Sequence, residues 1–82
     1  MIKNAKKLPE VIDWKLKAKS LIKVEMAKQN INYVVLSEDL KEIEINIDSK
    51  KLSEKINRGT FSFVFAMQVF KALNIKNLQL ED

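Results

Sequence analysis

The side chains best suited to chemistry lie in one run, Ser49-Lys50-Lys51-Leu52-Ser53-Glu54-Lys55-Ile56-Asn57-Arg58. Lys50, Lys51, Lys55 and Arg58 supply four cations that can neutralise phosphates, which attracts and positions a nucleic acid without reading it. Ser49, Lys50, Ser53, Glu54 and Asn57 carry donors and acceptors that could meet base edges, and a free Asn57 amide would suit adenine. The plainer alternative for the same run is a short basic amphipathic helix with a solvated face.

Carboxylates form the second candidate set: Glu38, Asp39, Glu42, Glu44 and Asp48. Glu38 and Glu42 are spaced to meet on one helix face, but such pairs usually lie on solvated surface. Glu44 and Asp48 are weak candidates for Mg²⁺. The chain has no His and no Cys, which removes disulfides, zinc thiolate sites, imidazole acid–base chemistry and thiol nucleophiles. A single glycine leaves no material for a glycine-rich phosphate loop. The expectation is a non-enzyme with no cofactor, no metal and no small-molecule substrate.

Helical spacing must position the basic run. Leu52 and Ile56 are four apart and share a helix face, which turns the lysines outward. Asn46 or Asp48 can cap the start of this 48–58 helix, and Gly59 suits a left-handed residue just past its end. Arg58 adds a cation at the negative end of the helix dipole. Before it, Tyr33, Leu36, Leu40 and Ile43 recur at helical spacing behind Asn32 as cap, with Ser37, Glu38, Asp39, Lys41 and Glu42 as the polar face. An earlier helix runs to Gln29, opened by Pro9 or capped by Asp13. Its stripe is Trp14, Ala18, Leu21 and Ile22, and Glu25 continues it, either paired in the interior or turned to the margin. After Gly59, Ser62 can cap a helix over Phe63 to Leu73, with Phe61 placed as a hydrophobic staple on Ala66. Phe63, Ala66, Met67, Phe70 and Leu73 form its main stripe, and Phe65, Val69 and Ala72 a second. Asn74 can end it in place of glycine. Trp14 and Phe70 are expected in the core, the other Phe residues with them and Met67 as filler.

One stretch has two readings. Glu42-Ile43-Glu44-Ile45-Asn46-Ile47-Asp48 alternates with period two, as a strand does, and Asn77 to Glu81 has a shorter match. The preferred reading is a connection in which Ile45 and Ile47 plug the core. The alternative is a very short β ladder between 43–47 and 77–80.

Composition bounds the rest. Eighty-two residues, 46% of them hydrophobic, make one domain (9–82) behind a basic flexible arm (1–8). Charge is unevenly placed: residues 1–29 carry eight Lys against three acids, 30–48 one Lys against five, and 49–59 four cations against one Glu. No uninterrupted apolar run follows the basic N-terminus, so neither a signal peptide nor a membrane span is expected and a cytoplasmic location is.

Taken together, the second helix, the basic helix, the Arg58-Gly59 turn and the close Lys71-Ala72-Leu73-Asn74-Ile75 resemble the lambda-repressor-like (Cro-like) helix-turn-helix domains. Trp14, Leu21-Ile22-Lys23-Val24-Glu25-Met26-Ala27, Tyr33, Leu36 and Lys55-Ile56-Asn57-Arg58-Gly59-Thr60-Phe61-Ser62 are similar to a small bacterial family, the domain of unknown function 6471. The resemblance implies an all-α domain of four to five helices. It implies Tyr33–Ile43 as scaffold helix and Asp48–Asn57 as recognition helix, with Ser49, Lys50, Ser53 and Glu54 toward bases and Arg58 toward backbone. The 42–48 segment is longer than the usual turn, and Glu38 and Asp39 stand where neutral or basic groups are usual. The leading expectation is a DNA-binding, transcription-regulator-like protein whose partner is double-stranded DNA. The runner-up is a protein-interaction or oligomerisation module on the same core. A two-fold homodimer through residues 63–73 is expected in either case.

Overall fold

In the computed structural model, which describes residues 12–77, the chain is all-α: α1 (Trp14–Gln29), α2 (Tyr33–Glu42), α3 (Ser49–Arg58) and α4 (Phe63–Ala72). The basic arm, residues 1–8, and positions 78–80 of the suggested ladder lie outside the described residues.

Each helix begins on a side-chain oxygen that accepts the backbone N–H three residues on. Asp13 takes the Leu16 N–H at 3.1 Å, Asn32 that of Val35 at 3.0 Å, Asp48 that of Lys51 at 2.8 Å and Ser62 that of Phe65 at 3.0 Å. These acceptors satisfy N–H groups that have no partner inside the helix. Asp13 therefore starts α1, Pro9 lying outside the described residues, and Asp48, not Asn46, starts α3.

Three of the helices end the same way. Asn30, Glu44 and Asn74 take left-handed φ of 57°, 66° and 59°, and each is followed by an isoleucine. The isoleucine N–H reaches back to a carbonyl in the last turn: Ile31 to Met26 at 3.0 Å, Ile45 to Leu40 at 2.9 Å, Ile75 to Phe70 at 2.9 Å. This is the Schellman arrangement, in which an apolar residue after the left-handed one covers the helix end. All three isoleucines pack against the core.

That motif explains the Ile-rich stretch. Residues 43–47 form no strand: Ile43 closes α2, Glu44 is the left-handed residue, and Ile45 and Ile47 are half-buried against the core. Alternation arises because a helix end and a connection happen to expose every second residue. Ser37, assigned to the polar face of α2, is half-buried and donates to the Ile47 carbonyl at 2.7 Å, pinning the connection to the helix.

The core is built from Ile22 and Met26 of α1, Leu36 and Leu40 of α2, Leu52 and Ile56 of α3, and Phe65, Val69 and Leu73 around α4. α3 packs on α1 and α2, and α2 also packs on α4. α1 and α4 stay apart along their first turns and meet toward their far ends, where the Gln29 amide donates to the Leu73 carbonyl at 2.7 Å. An apolar groove of about 260 Å³ lies between them.

That groove overturns part of the expected core. Trp14 is 66% exposed and Phe63 75% exposed, and Met67 is exposed as well. Of the expected main stripe Ala66 and Leu73 are buried and Phe70 is half-buried, and from the second stripe Phe65 and Val69 join them in the core while Ala72 is half-buried. An apolar pattern identifies helix faces, but on a helix apolar nearly all round only the neighbouring helix chooses among them. The Phe61 ring meets the Phe65 ring at a tilt, with centroids 5.7 Å apart, and Phe61 and Ala66 border the same groove. Glu25 sits at the margin, paired with Lys28 at 3.4 Å.

Candidate nucleic-acid interface

α3 is held by a narrow anchor. Leu52 and Ile56 are fully buried, and Gly59 follows with φ of 73°. Two constraints require glycine there. The left-handed conformation disfavours a Cβ, and a Cβ would stand 2.5 Å from the backbone carbonyl oxygen of Lys15. The end of α3 is thus seated directly on the first turn of α1.

The anchor sorts the polar side chains of α3 by face. Lys50, Lys51, Glu54 and Arg58 are exposed on the outer side. Ser49, Ser53 and Asn57, spaced by four, are half-buried along one flank. Asn57 is tied down there: its amide nitrogen donates to the Ser53 carbonyl at 2.8 Å and lies 3.2 Å from both the Ser53 hydroxyl and the Tyr33 hydroxyl. Lys55 flanks the other side, its ammonium 4.6 Å from the centroid of the Phe65 ring, within cation–π range. Of the candidate base contacts, Lys50 and Glu54 therefore face outward, Ser49 stands at the first turn, and Ser53 and Asn57 are engaged within the domain. Of the candidate phosphate contacts, Lys50, Lys51 and Arg58 face outward and Lys55 lies at the edge.

The fold adds two cations from elsewhere in the chain. Lys15 lies beside Gly59, and the Lys19 ammonium donates to the Asn57 carbonyl at 3.4 Å. Both stand off the apolar stripe of α1, so periodicity marks them only as solvated. Their place against α3 follows from the packing of the two helices, and the one sequence signal for it is the lone glycine after α3.

Electrostatics near the start of α3 are mixed. A depression between α2 and α3 is bordered by Glu38, Lys41, Asp48 and Lys51, with Ser37, Ser49 and Ile47 between them. The Asp48 carboxylate there is occupied as the helix cap. Cationic character thus rises from the beginning of α3 toward its end, where Arg58 is exposed and Lys15 lies against the following Gly59. Among the described residues no three carboxylates gather as a metal-ligand set, and no helix is long and apolar enough to cross a membrane.

The fold and this surface define a small all-α domain with one basic, outward-facing helix. The family model of the domain of unknown function DUF6471 matches residues 14–78, and the chain belongs to that family. No curated protein and no solved structure matches the chain.

Proposed function

We propose that the domain binds double-stranded DNA as a helix-turn-helix-like module, with α3 as the helix laid against the duplex. The observation that carries this reading is the sorting of α3: Lys50, Lys51 and Arg58 point to solvent around a single Glu54, over a fully buried Leu52–Ile56 anchor. The packing of α2 on α3 across the 43–48 connection supports the scaffold-and-recognition arrangement. Because Ser53 and Asn57 are held by internal hydrogen bonds, attraction to phosphate outweighs reading of bases. Lys50, Glu54 and Ser49 are then the groups left for base edges. Glu38 borders the start of α3 and offsets part of the attraction of Lys51, whereas Arg58 at the other end has Lys15 of α1 nearby.

Binding to one random duplex across a salt series tests this. The wild type should weaken steeply as salt rises. The variant K50Q/K51Q/R58Q should bind more weakly with its fold intact, and its logarithmic salt slope should flatten by roughly 0.9 for every phosphate it no longer neutralises. Absence of wild-type binding at low salt, or equal slopes for both proteins, would refute the proposal.

A further inference from the structure

The groove between α1 and α4 lies away from the proposed DNA-binding face of α3 and does not depend on that reading. Ala18 and Leu21 form one wall, and Phe61, Phe63, Ala66 and Phe70 form the other, with Ser62 as the single polar side chain. Trp14 continues the α1 wall one turn before Ala18, and Met67 continues the rim beyond Phe63; both are exposed. Spacing identifies the shape that fits. Trp14, Ala18 and Leu21 step by four and three, and Phe63, Ala66 and Phe70 by three and four. Two such seams side by side accept a third helix bearing apolar residues at the same rhythm.

Charge identifies the partner. Lys15 and Lys19 of α1 lie against α3, so the groove side of α1 is left with Lys17 and with Lys28, which is paired with Glu25. Helical spacing sets Lys17 one turn before Leu21 and Lys71 one turn beyond Met67, each on the outer edge of its wall. Each outer edge of the groove therefore carries a lysine. A second copy of this chain seated here would bring the same lysine-edged walls together, and like charges facing each other are unfavourable. A flat membrane surface fits a projecting ridge better than a channel between two helices. We propose that this groove receives an amphipathic helix of another protein, with apolar residues at three–four spacing and acidic residues on its flanks.

Trp14, the only tryptophan of the chain, is exposed one turn before Ala18, and its fluorescence should report occupation of the groove. The probe is a designed peptide of about 18 residues, long enough to hold helix, with leucines at three–four spacing and glutamates beside them. Its control keeps the leucines and replaces each glutamate by lysine. The full chain should give a saturable blue shift of Trp14 emission with the acidic peptide and bind the basic one at least about tenfold more weakly. The F63S/M67K variant, altered only at exposed positions and verified by its circular dichroism, should lose the response. K17E/K71E should reverse the preference between the two peptides. Equal response to both peptides, no response to either, or unchanged preference in K17E/K71E would overturn the proposal. So would a stronger response to anionic vesicles than to the peptide, or a blue shift produced by protein concentration alone, which would assign the groove to a second copy.

Discussion

α3 and α4 are the same length, start on the same kind of side-chain cap and end beside a left-handed residue, yet they use their surfaces in opposite ways. α3 buries Leu52 and Ile56 completely and surrounds them with polar groups. α4 buries Phe65, Ala66 and Val69 and still leaves Phe63, Val64 and Met67 in solvent. A chain of this size has little interior, and burying all of α4 would need more neighbours than three helices provide. The difference separates two kinds of surface. α3 presents charge over a finished core, suited to a polyanion, whereas α4 leaves apolar area at Phe63, Val64 and Met67 uncovered.

The largest test of that contrast is the narrow anchor of α3. Leu52→Ala should cost about 2–5 kcal/mol, because the side chain is fully buried and the cavity cannot close freely. Urea melts measure this directly. A loss below about 1 kcal/mol would mean that α3 is held by its polar flank instead. Gly59→Ala comes next. It combines the left-handed penalty with a collision against the Lys15 carbonyl, which belongs to the backbone and cannot swing aside. A loss of about 2 kcal/mol or more is expected in the same melts. A smaller loss would show that α1 can move off the end of α3.

The two caps provide a matched pair. Asp48→Ala removes the cap of α3 and Ser62→Ala that of α4, each the acceptor of one N–H. Both should cost about 1 kcal/mol, since capping is local and independent of what the helix buries. Thermal or urea melts showing the α3 cap to be worth several times the α4 cap would mean that α3, with its small anchor, depends on its cap more than α4 does.

Local chemistry also decides how much can be read from the sequence. Asp13, Asn32, Asp48, Ser62, Gly59 and Asn74 act within a few residues of themselves, and each is legible as a helix boundary. The outward aim of Lys50, Lys51 and Arg58 is legible too, because Leu52 and Ile56 leave one face for the core. Periodicity misplaces Trp14, Phe63 and Met67, since their environment depends on how far α1 stands from α4. Asn57 shows the same limit within the candidate site. Part of what holds its amide is Tyr33, a residue of another helix. The strand-like rhythm of 43–47 misleads for a different reason: nothing in the sequence signals a left-handed Glu44, because glutamate seldom adopts that conformation.

The smallest expected effect bears most directly on the contrast between the two helices. Phe63 and Phe65 are two residues apart in α4, so they point to nearly opposite sides of the helix. Phe65 is buried, stacks on Phe61 and lies under the Lys55 ammonium, so its truncation should cost about 3–5 kcal/mol. Phe63 has only a quarter of its surface covered. Phe63→Ser removes little that folding had buried and leaves no cavity, so stability should change by no more than about 0.5 kcal/mol. The measurement is a urea melt repeated at low and high protein concentration. If free copies paired through α4, the wild type would gain stability with concentration and F63S would lose that gain. A flat concentration dependence in both proteins, with F63S as stable as wild type, is the expected result, and it leaves this face open for a different partner.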